Sequence, residues 1–112
     1  MIEIEFNSYG EKHKAMFEKT LYVNGNNLYV GVLTWDEDGE YWEPWSDLTV
    51  NLPGCVLAKN EAYLDTNNCN PEIIRCLFDK GYVIDTGKVG HSGFCTYPLV
   101  KFTEEFLNGM YE

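Results

Sequence analysis

Positive charge is what this chain has least of. Eight Lys and Arg stand against eighteen Asp and Glu in 112 residues, a formal net charge of −10, and no Lys or Arg occurs between Lys19 and Lys59. A deficit of that size argues against direct contact with nucleic-acid backbones or anionic lipid, because both reward clustered cations. Cationic protein surfaces are the favoured partners. No apolar run approaches the ~20 residues that a membrane-crossing helix needs. The first residues, Met-Ile-Glu-Ile-Glu-Phe, lack both the basic start and the apolar centre of an export signal, so a cytoplasmic location is expected. Cys55, Cys69, Cys76 and Cys95 form no Cys-x-x-Cys pair, which leaves free buried thiols as the expected state.

What is present is apolar enough to fold. Apolar residues make up 45% of the chain and aromatics 15%, too much for a disordered acidic tail. At this length one domain over residues 1–112, with one core, is expected.

The missing cations set off one stretch, residues 35–47, reading Trp-Asp-Glu-Asp-Gly-Glu-Tyr-Trp-Glu-Pro-Trp-Ser-Asp. It holds all three tryptophans and six of the eighteen acids. Asp36, Glu37, Asp38 and Gly39 read as a turn, and residues 41–51 as a strand broken at Pro44, which cannot donate to a ladder. Alternation then places Trp42, Leu48, Val50 and Leu52 in the core. Tyr41, Glu43, Trp45, Asp47 and Thr49 would share the outer face, with register open across Pro44. Aromatic faces stack on guanidinium groups while carboxylates pair with Lys and Arg. Asp36, Glu37, Asp38, Glu40, Tyr41, Glu43, Trp45 and Asp47 are therefore the candidate partner-binding residues, facing a basic protein surface.

The remaining chain reads as an α+β domain with one antiparallel sheet of about five to six strands, one main helix and a short C-terminal helix. Ile2, Ile4 and Phe6 alternate with acids as a strand, and residues 10–19 read as a turn leading into a second one. Asn24-Gly25-Asn26-Asn27 between apolar runs predicts a hairpin, since Asn and Gly tolerate positive φ. Short strands follow at residues 61–65, 82–84 and 96–102, and the glycines of residues 86–93 read as a loop. Asn70-Pro71-Glu72 opens a helix to about Lys80, closed by Gly81, and Thr103-Glu104-Glu105 opens the last one.

Motifs for chemistry are weak. Asp36, Asp38 and Gly39 resemble part of a calcium loop, yet Thr34 and Trp45 stand where an EF-hand needs ligands. Cys69, Cys76, Cys95 and His91 could ligate zinc, but their spacing matches no zinc knuckle. Cys95 with His91 is the only local nucleophile and base pairing, and Gly87-Lys88-Val89 opens no helix as a phosphate loop would. No catalytic residue, metal or cofactor is assigned, and a non-enzymatic protein is expected. Imitation of DNA would need more than one strand, because Glu43 and Asp47 would lie about 13 Å apart at ~3.3 Å per residue against a duplex charge every ~1.7 Å. The turn acids would have to complete such an array.

Three phrases carry a family likeness: Tyr-Trp-Glu-Pro-Trp-Ser-Asp-Leu-Thr-Val-Asn-Leu-Pro, Asn-Glu-Ala-Tyr-Leu-Asp-Thr-Asn-Asn-Cys, and Thr-Gly-Lys-Val-Gly-His-Ser-Gly-Phe-Cys-Thr-Tyr-Pro-Leu. Over roughly residues 41–102 the chain resembles small uncharacterised proteins of phages, plasmids and conjugative elements of gut Firmicutes. The resemblance implies a mobile-element setting and, by analogy, an inhibitor of a CRISPR effector or restriction nuclease. It brings no catalytic residues. An adaptor that binds a basic protein through Tyr41 and Trp45, and a Cys95 and His91 enzyme or metal protein, stay open beside it.

Overall fold

Ile4 and Phe6 are buried while Glu3, Glu5 and Asn7 are exposed, and that period of two starts the first of eight strands. The computed structural model describes residues 1–112. It contains β1 (Ile4–Ser8), β2 (Glu11–Leu21), β3 (Leu28–Asp36), β4 (Tyr41–Asp47), β5 (Thr49–Val50), β6 (Glu61–Leu64), α1 (Pro71–Asp79), β7 (Val83–Ser92), β8 (Cys95–Phe102) and α2 (Glu104–Asn108). The strands form two antiparallel four-stranded sheets, ordered β1-β2-β3-β4 and β5-β6-β8-β7. The α+β expectation therefore holds in outline, with two short helices, but five to six strands in one sheet was too few.

Residues 41–51 divide between the two sheets as β4 and β5, and two further segments are strand where turn or loop was expected. Residues 11–19 belong to β2, whose Ala15 and Phe17 face inward and alternate with Lys14, Met16 and Glu18; the charges had masked the alternation. Residues 86–93 mostly continue β7, which pairs with β8 on both sides of an irregularity between Asp85 and Val89. Gly87 sits within that irregularity at φ 82°. Gly90 lies under other side chains, so an added Cβ would stand 2.5 Å from Leu52 Cδ1 and 2.7 Å from Tyr63 Cε1. The hairpin at Asn24-Gly25 is present, with Gly25 and Asn26 at φ 86° and 55°.

One apolar core joins the sheets. Ile4, Phe6, Ala15, Phe17, Val30 and Val32 from the first sheet meet Ala62, Leu64, Val100 and Phe102 from the second, with Ile73 and Leu77 of α1 and Phe106 of α2. Phe106 is the hub on the α2 side, with ring centroids 5.0 Å from Phe17, 5.2 Å from Tyr82 and 5.7 Å from Phe102. A satellite cluster of Leu52, Tyr63, Tyr97 and Leu99 fills the other face of the second sheet.

The chain changes sheets at Leu48. Its N–H donates to the Val30 carbonyl and its carbonyl accepts from Asp65 N–H, both at 2.9 Å. The edge of β1 is closed by α1. Asn70 caps that helix by accepting from Glu72 N–H at 2.8 Å, and the Glu72 carboxylate accepts from the Asn7 backbone N–H and side-chain amide at 3.1 Å each. Where β1 ends short, Tyr111 takes its place along β2, donating to Phe17 O at 2.9 Å and accepting from Lys19 N–H at 2.8 Å. No helix is long and apolar enough to cross a membrane.

Phe106→Ala should lower the unfolding free energy by about 3 to 5 kcal/mol, the usual cost of emptying a buried Phe site. Gly90→Ala should cost roughly 1 to 3 kcal/mol by overpacking against Leu52 and Tyr63. Urea denaturation of both variants measures this, and wild-type stability in Gly90→Ala would show that Tyr63 moves aside freely.

Candidate interaction surface

The acidic turn is fixed by its own first residue. Asp36 Oδ1 accepts from the backbone N–H of Asp38 at 3.0 Å and of Gly39 at 3.3 Å, so the loop folds back on a carboxylate as an Asx turn. Glu40 adopts φ 54°, and the Tyr41 ring lies so close over Gly39 that a Cβ there would collide with it. Glu37, Asp38 and Glu40 are exposed. The Tyr41 hydroxyl donates to Glu43 Oε2 at 3.4 Å. The Asp36 carboxylate, and then Glu43, raise the Tyr41 phenol above its ordinary pKa by disfavouring a third negative charge.

None of the six acids in this stretch is in an ion pair; the two ion pairs of the molecule are Lys12 with Glu5 at 3.6 Å and Lys19 with Glu112 at 3.8 Å. Yet the chain's gap in positive charge is not a gap in space. Pairing of β2 with β3 brings Lys12 and Lys14 to a hollow of about 520 Å³ that Trp35 and Glu37 also line, with Glu5, Glu11 and His13. The turn is therefore bare of cations toward β4 and flanked by them toward β2.

Trp45 divides the predicted residues. Leu33 pairs with Pro44 and Val32 with Ser46, so Trp45 has no partner on β3 and stands as the extra residue of a β-bulge. Upstream of it, Tyr41 and Glu43 pair with Asp36 and Thr34 and share the phase of the core-facing residues, beyond the end of the core. Downstream, Asp47 pairs with Gly31 and takes the outer phase. Asp47 there accepts a 2.8 Å bond from the Tyr29 hydroxyl, whose ring covers Gly31. The expected single outward row is thus split between two faces.

The tryptophans exchange places relative to expectation. Trp42 is half-buried, outside the core, and pairs with Trp35 on the outer face, ring centroids 5.4 Å apart at 64°. Trp45 retains 39% exposure but packs on the core side, 5.4 Å from Phe6 and 5.2 Å from His13. The bulge is the cause, since one unpaired residue inverts every side chain on one side of it. The Trp35 and Trp42 pair was missed because the odd residue in Tyr41–Asp47 is invisible to a period of two.

Cys95 and His91 point away from each other. His91 pairs with Thr96 and Ser92 with Cys95, so the two side chains emerge on opposite faces of the β7–β8 hairpin, and His91 Nδ1 contacts Thr96 Oγ1 at 3.0 Å. No three His, Cys, Asp or Glu side chains are grouped to hold a metal ion. All four cysteines are free, and Cys69 alone is buried, where desolvation pushes its thiol up to about 11.

Fold and surface define a mostly antiparallel β domain whose salient chemistry is an acidic hairpin beside exposed aromatics. Residues 16–110 match the family described as Domain of unknown function (DUF4313), and the chain belongs to that family. Among curated proteins and among solved structures, none matches the chain.

The alkaline limb of stability follows from the raised groups. Burial raises the Cys69 thiol from 9.0 to about 11, and raises the Tyr29 phenol above 10.0 with help from Asp47. Folding thus favours their neutral forms, so the stabilisation is whole below the ordinary values and lost as pH rises through the folded ones. Unfolding free energy should fall from about pH 9 to pH 11, less steeply in Tyr29→Phe, as urea titrations at stepped pH would record. Native Cys69 should resist alkylation at neutral pH and react once the protein is unfolded.

Proposed function

We propose that the protein is an acidic, non-enzymatic protein-binding module that presents the β3–β4 hairpin to a basic protein surface. The observation that carries this reading is the turn of Asp36, Glu37, Asp38 and Glu40, fixed by the Asp36 carboxylate and free of ion pairs. Charge held on a defined turn and left uncompensated acts on a partner at a distance, raising encounter rates by ~10- to 1,000-fold at low salt. Tyr41, 49% exposed, and Glu43 continue that surface, and Trp45 and Asp47 extend it onto the two faces of β4.

The likeness to mobile-element proteins narrows the partner to a defence nuclease, a CRISPR effector or restriction enzyme. Such nucleases hold nucleic acid in a positively charged channel, which an acidic hairpin can occupy. Imitation of a full duplex asks for more than one such turn, because Lys12 and Lys14 interrupt the negative surface on the β2 side. Occupation of part of the channel suffices for inhibition.

The combined change Asp36→Asn, Asp38→Asn, Glu40→Gln and Glu43→Gln keeps the Oδ1 acceptor of the turn while removing four charges. It should weaken inhibition of a sensitive nuclease by about tenfold or more at low salt, with the difference shrinking as salt rises. The circular dichroism spectrum and melting temperature should stay near wild type. Inhibition at wild-type strength by the correctly folded variant would discard the proposal.

A further inference from the structure

We propose that the outer face of the first sheet is a docking platform for an arginine-bearing segment of the partner, with the guanidinium lying on Trp42 beside the acidic turn. This names the partner's chemistry and rests on the acidic-module function proposed above. The outer face carries no covering element: its residues belong to neither apolar cluster, and both helices pack elsewhere. Its centre is nonetheless apolar. Met16 and Leu33 are 8% and 7% exposed, Trp35 and Trp42 are half-buried, and Pro44 is exposed. Large aromatics left at the water boundary of an uncovered sheet face are a common mark of a contact surface.

Charge selects the occupant. A second copy would bring another net charge of −10 and its own acidic turn against this one. Strand addition along the edge of β4 is broken in its middle, where Pro44 has no N–H to give and Trp45 bulges out of the ladder. A cationic side chain from a separate protein meets neither obstacle. On the β2 side the carboxylates already have cations beside them, Lys12 paired with Glu5 and Lys14 close by, whereas the acids on the β4 side are in no ion pair and are free to take an incoming cation. There Trp42 follows Tyr41 and the uncompensated turn. The two indoles meet edge to face at 64° and both stay partly open to water, so a planar cation can reach them. Guanidinium fits better than ammonium: it is flat, weakly hydrated, and able to stack on the ring while its fork donates two parallel bonds to a carboxylate.

Hexa-arginine and hexa-lysine peptides, titrated at low salt into a Trp45→Phe protein, test this through the emission of Trp35 and Trp42. Hexa-arginine should bind about two- to fivefold more tightly than hexa-lysine, the range of an exposed cation–π contact, and should alter the tryptophan emission. Trp42→Leu should erase that preference by weakening hexa-arginine more than hexa-lysine. Trp42→Phe, which keeps an aromatic ring, should retain part of the preference and serves if the Leu variant melts early. Equal affinities for the two peptides, or a preference that survives Trp42→Leu, would overturn the arginine platform and leave the acidic module standing. Absence of binding by either peptide would remove both. A concentration-dependent dimer in sedimentation that Trp42→Leu abolishes would assign the face to self-association instead.

Discussion

The chain passes from one sheet to the other through a single residue's backbone, beneath the apolar core that both sheets share. Leu48, fully buried, gives its N–H to Val30 in the first sheet and takes the N–H of Asp65, the residue after β6, in the second. Thr49 strengthens the join from its side chain, with Oγ1 accepting from Val30 N–H at 3.1 Å and meeting the Tyr22 hydroxyl at 2.8 Å. The strand that leaves one sheet and enters another within two residues carries one irregularity shortly before the crossing and then pairs regularly to its end. β5, which follows the crossing, is only two residues long.

That constraint governs the surface. Because the loss of register comes at Trp45, an indole is driven onto the core side against Phe6 and His13, and Asp47 onto the outer side against Tyr29. Both edges of the first sheet are meanwhile made unattractive to further strands. β1 is closed by Glu72 of α1, and β4 is spoiled by Pro44 and the bulge. What remains available to a partner is side-chain chemistry: a turn of carboxylates, and an indole pair a few residues along.

The legible parts of the sequence were those where a local rule decides the backbone. Asn24-Gly25 specified its hairpin through positive φ, Asn70-Pro71-Glu72 its helix through cap, ring and dipole, and Thr103 the last helix through its hydroxyl on Phe106 N–H. β2 was obscured because Lys12, Lys14 and Glu18 occupy its water-facing phase and read as loop. β7 was obscured because Gly87 and Gly90 read as punctuation, whereas one forms a bulge and the other makes room for Tyr63. The acidic turn itself was visible from composition. Its neighbours Lys12, Lys14 and Trp35 were not, because they reach it through strand pairing between residues far apart in the chain. Nor could any periodicity reveal a crossing between sheets at Leu48, because the even-numbered apolar residues Leu48, Val50 and Leu52 continue one alternation through it.

Trp45 has a further standing that its stacking partners conceal. Of the seven residues in β4 it alone opposes nothing on β3, so it is in effect an insertion carried inside a strand. Removing that one residue would let Pro44 and Ser46 follow each other against Leu33 and Val32 in an uninterrupted ladder, with no neighbour shifted. Loss or gain of a single codon at this position is therefore a smaller structural event than the same change elsewhere in the strand. Loss of Trp45 would remove one of the two features that keep further strands off this edge and leave Pro44 as the other.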